Sequence, residues 1–200
     1  MEKPIVDTKN RIFLSAVEIV GLKGDVTVRE LAEMAGVNIA SINYYYGNKK
    51  NLLKEVEKHY STSLYNLQNS ILTSEDFSPY DKLLNWAKSL SEFIIRYPAL
   101  IGLIVNLTTE DKNYKPALIQ KIYLNKDLQI MIQRIIGNII NSHDERVINF
   151  RYLQIFSGIL GPIINRVVEE NFADGNMIVS LSSKEDFEEY IRLLIDSILT

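Results

Sequence analysis

Between Thr27 and Lys50 the chain reads TVRELAEMAGVNIASINYYYGNKK. Two short apolar helical stretches forced to turn at a single glycine leave few ways to fold. Thr27 followed three residues later by Glu30 makes a capping box, with Val26 and Leu31 placed to staple the chain entry. The helix so started runs from about Val28 to Ala35 and meets Gly36, a residue suited to a left-handed stop. Asn38 can cap the next helix, with Val37 and Ile42 in its staple positions. Gly47 interrupts that helix, and Asn48 can cap again. Counting Val28 as first, Ala32 is fifth, Gly36 ninth and Ile42 fifteenth. The spacing predicts a small residue where the helices cross, a glycine at the turn, and a wedge filled by Leu31, Val37 and Ile42. It is a helix-turn-helix pattern. Its second helix turns Asn38, Ile39, Ala40, Ser41 and Asn43 outward, as a major-groove reader requires.

The rest of the chain is predicted to be all-α, with about nine helices. Apolar residues recur at helical spacing almost throughout, and no period-2 strand pattern of useful length occurs. A first helix starts near Asp7 or Thr8 and stops between Gly21 and Gly24. A fourth runs from Lys49 to about Leu72, with Lys50, Lys54 and Lys58 as a solvated face. Ser78 and Pro79 start a fifth, ended by Pro98. Ala99 to about Leu107 is a short apolar helix before the polar TTEDKN loop. Tyr114 to Asn141 reads as one long helix and Asp144 to Phe172 as another. Ser182 and Glu185 offer a capping box to a last, apolar helix.

Composition narrows the chemistry. The 200 residues are 46% hydrophobic and 24% charged, ordinary for a globular protein, and contain no cysteine. Disulfides, zinc-thiolate sites and Cys nucleophiles are thereby excluded. His59 and His143 are the two histidines and lie far apart, so no metal site is expected. No nucleophile-base-acid set or Gly-rich phosphate loop stands at usable spacing, and neither an enzyme nor a cofactor is expected. No signal-peptide h-region or span of roughly 18 apolar residues is seen, so the expectation is a cytoplasmic chain without a membrane partner. The net charge is −3. Residues 1–60 carry nine Lys or Arg against eight Asp or Glu, so any DNA contact must come from a local patch.

From about Arg11 to Leu53, the segments AVEIV, TVRELAEMAGV and SINYYYGNKKNLL and their spacing resemble the TetR family of bacterial transcriptional regulators. The resemblance implies a DNA-binding head, residues 1–52, and a ligand-binding and dimerisation body, residues 53–200. It implies base contacts from Ile39, Ala40, Ser41 and Asn43. Phosphate and sugar contacts are implied for Thr27, Arg29, Tyr44, Tyr45 and Lys49. Free N–H groups at a helix start attract a phosphate, and Lys49 can pair with one. The chain departs from the family where Asn43 replaces a frequent Tyr, and where Tyr44-Tyr45 replaces an aromatic-His pair. Tyr46 is expected to pack inward.

The family scheme also implies a homodimer that binds a palindromic operator as a repressor and releases it for a small-molecule effector, largely apolar. For the body, Trp86, Leu90, Phe93, Ile94, Tyr97, Leu100, Ile104, Tyr123, Met131, Ile135 and Phe156 are either cavity lining or plain core. Asn106, Thr108, Tyr123, Gln154 and Asn165 are the polar candidates beside them. Gly158 and Gly161, with Ile191, Leu194, Ile195 and Ile198 on the last helix, are the expected dimer contacts. The alternatives left open are a small all-α enzyme, a protein-docking module and an activator of the same fold.

Overall fold

A computed structural model describes residues 7–23, 26–172, 181 and 183–199, and the following statements concern these residues. They are all-α, with no strand: nine α-helices and one π-helical turn. The helices are α1 (Thr8–Lys23), α2 (Val28–Ala35), α3 (Ile39–Tyr46), α4 (Lys49–Thr73), α5 (Pro79–Arg96), α6 (Ala99–Glu110), α7 (Lys126–Ile139), α8 (Glu145–Phe172) and α9 (Lys184–Leu199). No single helix among them is long and apolar enough to cross a membrane.

The chain forms two compact units. The first holds the stretch ending at Ser63 together with Arg96–Leu124. Here α1 packs against α2, α3 and α6. Ile12, Ala16 and Val20 of α1 are buried, as are Leu31, Ala32 and Ala35 of α2, Ile42 of α3 and Leu52, Leu53 and Val56 of α4. Leu100, Leu103 and Leu107 give α6 its buried stripe. The second unit holds Leu64–Ile95 and the chain from Asn125 onward. In it α8 packs against both α7 and α9, burying Leu128, Ile132, Ile136, Ile155, Ile159, Ile191 and Ile195.

Three elements differ from expectation. The helix read over Tyr114–Asn141 is two helical pieces. Ile119–Tyr123 widens into a π turn, closed by the Leu124 N–H on the Ile119 carbonyl at 2.8 Å. Asn125 then restarts the chain, its Oδ1 accepting from the Leu128 N–H at 3.1 Å. Apolar periodicity runs through the break, and the Asn125 cap with Asp127 in the first turn was the overlooked signal. Next, α6 continues to Glu110, so half of the expected TTEDKN loop is helical. Finally, α9 is capped one residue later than predicted. The Ser183 Oγ accepts from the Asp186 N–H at 3.0 Å and the Asp186 carboxylate accepts from the Ser183 N–H at 3.1 Å. Ser182 lies outside the described residues.

Candidate nucleic-acid interface

The Thr27 box closes in both directions: Oγ1 accepts from the Glu30 N–H at 3.1 Å, and the Glu30 carboxylate accepts from the Thr27 N–H at 2.8 Å. The Thr27 hydroxyl donates to the same carboxylate at 2.8 Å. This pins the first turn of α2, where Arg29 stands exposed. At the other end Gly36 takes φ 61° and ψ 43°, a left-handed conformation. The Val37 N–H then reaches the Ala32 carbonyl at 2.9 Å and the Gly36 N–H the Glu33 carbonyl at 3.1 Å, which satisfies carbonyls the helix leaves open. The chain leaves this turn aimed into α3. Asn38 caps it, with Oδ1 accepting from the Ala40 N–H at 2.9 Å.

On α3 the inner face is Ile42, fully buried, and Tyr46, 6% exposed. The Tyr46 hydroxyl donates to the Lys9 carbonyl at 2.8 Å, bolting the end of α3 to α1. Burial raises the Tyr46 pKa to about 12, with the Glu55 and Asp7 charges adding to the effect. The opposite face carries Ile39, Ala40 and Asn43, all exposed, with Ser41 half-buried at its edge. Tyr44 is 82% exposed, and its ring meets that of Tyr45 edge-on at 5.0 Å. Large aromatic surface left in water by a helix that buries its other side is an unusual use of tyrosine. Lys49 is half-buried in the first turn of α4, which Asn48 caps through the Asn51 N–H at 2.9 Å. The predicted residues Thr27, Arg29, Asn38, Ile39, Ala40, Ser41, Asn43, Tyr44, Tyr45 and Lys49 thus fall within three consecutive helix starts and one exposed helix face.

Of the α4 lysines expected as a solvated face, Lys58 is exposed but Lys50 and Lys54 are paired. Lys50 pairs with Glu110 at 3.1 Å and Lys54 with Asp111 at 2.7 Å. The Lys54 hydrogen bond holds the Asp111 carboxyl below its ordinary range, helped by the Asn113 N–H. One turn on, Glu57 is 1% exposed and acts as a cap for a distant helix. Its carboxylate accepts from the Tyr114 hydroxyl at 2.7 Å, from the Ala117 and Leu118 N–H groups at 3.0 and 2.8 Å, and from Ser61 at 2.9 Å. Pro116 has no N–H to offer, so the first donors of that helical turn are these two amides. Sequence reading missed Glu57 because its partners lie about 60 residues downstream. The KxxxKxxE spacing on one helix face was the available sign.

The expected ligand residues are divided between the two units. Trp86 is buried and Phe93 half-buried in the second unit, while Gln154 of α8 is exposed. Tyr97 and Ile104 are half-buried in the first unit, where Asn106 and Tyr123 are exposed. None lines the groove of about 490 Å³ in the second unit, bordered by Gln133, Arg134, His143 and Asn149 among others. Several of the expected dimer contacts are packed within one chain. Ile191, Ile195 and Ile198 are buried within the chain. A Cβ on Gly158 would run into Leu194, and the Gly158 carbonyl accepts from the Tyr190 hydroxyl at 2.9 Å, so this close approach is between α8 and α9 of one chain. Gly161 meets no such neighbour. What α8 turns outward instead is Val147, Phe150, Leu153 and Ile164, each exposed.

Residues 21–56 match the family model described as bacterial regulatory proteins, tetR family. Over those residues the chain is similar to TetR-family regulators. It is 38% identical over 112 residues to the Bacillus subtilis (strain 168) protein named probable HTH-type transcriptional regulator YttP, an alignment covering 55% of this chain and 46% of that one. The chain therefore matches about half the length of this curated relative. Two crystal structures share the fold over nearly the whole chain. A transcriptional regulator from Rhodococcus sp. Rha1 superposes with a TM-score of 0.65 at 14% identity, covering 96% of both chains. The TetR family transcriptional regulator PfmR from Thermus thermophilus superposes with a TM-score of 0.57 at 18% identity, covering 94% of this chain and 97% of that one.

Proposed function

We propose that this chain is a TetR-family DNA-binding transcriptional regulator: a homodimeric repressor of a palindromic operator, released by a small molecule. The observation that carries the reading is α3, fixed on its inner face by Ile42 and Tyr46 and presenting Ile39, Ala40, Asn43 and Tyr44 to solvent. Residues 1–52 serve as the reading head and residues 53–200 as the sensing and pairing body. Ile39 and Ala40 suit a thymine methyl and Asn43 a base edge. Thr27, Arg29, Tyr44, Tyr45 and Lys49 flank them as backbone contacts. Asn38 has its oxygen committed to the cap, which leaves its amide N–H groups for DNA.

Two heads paired across a two-fold axis would read half-sites roughly 34–36 Å apart. The pairing surface in this reading is the outward stripe of α8, Val147, Phe150, Leu153 and Ile164, which spans an arc of about 120° on the helix. Exposed apolar stripes of this kind mark association surfaces. The test is selection of bound genomic fragments by purified protein, with Asn43→Ala and Lys49→Ala in parallel. A palindromic motif should emerge. Asn43→Ala should alter the selected bases, at about 1–3 kcal/mol of discrimination. Lys49→Ala should weaken specific and random DNA alike and flatten the salt dependence. Recovery of no enriched fragment at low salt would refute the reading.

A further inference from the structure

Lys50 is the second residue of α4, so its Cα lies about 3.8 Å from that of Lys49, one of the proposed backbone contacts. Its ammonium stands 3.1 Å from the carboxylate of Glu110, the last residue of α6. The next acid, Asp111, takes Lys54 at 2.7 Å, so two successive acids meet two lysines one helical turn apart. The pairs differ in how firmly they are held. Lys54 and Asp111 are 25% and 33% exposed, and the Lys54 ammonium also lies over the Tyr114 ring, 4.8 Å from its centroid. The Lys54 hydrogen bond is the main reason the Asp111 carboxyl lies below its ordinary range, and the Lys50 charge adds a smaller part. Lys50 and Glu110 are 35% and 59% exposed. An exposed pair of flexible side chains is weak and is screened by salt.

Positive charge is scarce in this part of the chain. Residues 1–60 hold nine Lys or Arg against eight Asp or Glu, so one lysine is a large share of the attraction offered to a duplex. Glu110 comes from outside that segment and offsets one of them. We propose that Lys50 is a further DNA-backbone contact and that Glu110 holds it off in the free protein, standing where a phosphate would stand. On docking, the ammonium exchanges the Glu110 carboxylate for a phosphate oxygen. The exchange runs toward DNA because each phosphate neutralised releases a condensed counterion, which a lone carboxylate does not hold. Lys54 stays with Asp111 and Tyr114, so α4 remains clasped while Lys50 changes partner. Glu110 thereby restrains binding to DNA of any sequence. This assignment rests on the reading that the first turn of α4 meets DNA, and it names a control on that contact.

The test is a double-mutant cycle in the full chain, with Lys50→Gln and Glu110→Gln made alone and together. Binding to a fluorescent duplex of random sequence is followed by anisotropy as salt is raised from about 50 to 200 mM. Glu110→Gln should bind more tightly than the parent. Adding Lys50→Gln to it should weaken binding about threefold or more at the low-salt end and flatten the log–log salt slope by about 0.9. In the parent, Lys50→Gln should cost about twofold or less, because losing the ion pair of the free protein offsets part of the lost DNA contact. The melting temperature should hold in all of these variants, since both side chains are part-exposed. An unchanged slope on adding Lys50→Gln to Glu110→Gln would remove Lys50 from the DNA. Equal losses in both backgrounds would remove Glu110 as its restraint. Either result, in a parent that binds duplex, overturns this inference and leaves the wider reading standing. A parent with no affinity for duplex at low salt overturns both.

Discussion

Gly36 carries the turn between α2 and α3 on its backbone alone. No atom lies within 4 Å of where its Cβ would be, so a side chain there meets strain in φ and not a clash. Gly36→Ala is therefore expected to lower stability by about 1–2 kcal/mol, with Gly36→Asn closer to the parent, as thermal melting would record. Equal melting of the alanine variant and the parent would contradict the left-handed assignment. Tyr46 makes a pH-dependent contribution nearby. Its hydroxyl titrates near 10 when unfolded and about 12 when folded, chiefly because burial disfavours the phenolate. The stabilisation is complete below pH 10 and is lost as pH rises through 12. Tyr46→Phe should lose about 0.5–1.5 kcal/mol at neutral pH with the Lys9 hydrogen bond, and should soften the alkaline decline measured by circular dichroism. These positions were legible in the sequence because capping boxes, left-handed glycines and buried wedge residues are local signals. Tyr44 and Tyr45 were harder to place, since three consecutive tyrosines look alike until helix phase assigns Tyr46 inward.

Caps and phases of α1 to α5 could be read from the residues, whereas the stretch Tyr114–Asn141 was misread for a physical reason. Apolar spacing reports which face of a helix is buried and does not report whether the helix is continuous. The π turn at Ile119–Tyr123 and the Asn125 restart keep the apolar pattern while breaking the axis. Charged residues mislead in a similar way. Lys50, Lys54 and Glu57 look like a wet face until Glu110, Asp111 and the amides of Ala117 and Leu118 are brought onto it. Glu57→Ala should cost about 2–4 kcal/mol by stranding those amides and the Tyr114 hydroxyl. Hydrogen exchange of the Ala117 and Leu118 amides should rise in step. Unchanged protection would remove Glu57 from its capping role.

At the scale of the molecule, the outward apolar stripe of α8 predicts self-association. Phe150→Glu should convert a dimer to a monomer in sedimentation while shifting monomer stability by no more than about 0.5 kcal/mol, since the ring is 52% exposed. A dimer that survives Phe150→Glu paired with Leu153→Glu would place the contact elsewhere. The paths of the two units through the chain carry a consequence for synthesis. The first unit is interrupted after Ser63 and resumes at Arg96, ending at Leu124. A ribosome adding about 5–20 residues per second needs roughly 3–12 s to pass from Ser63 to Leu124. Until Glu110 to Leu118 are made, the nascent α4 carries Lys50, Lys54 and Glu57 without the acids and amides that later engage them. A nascent chain stalled before Glu110 would hold the reading helices but none of the acids and amides that engage Lys50, Lys54 and Glu57.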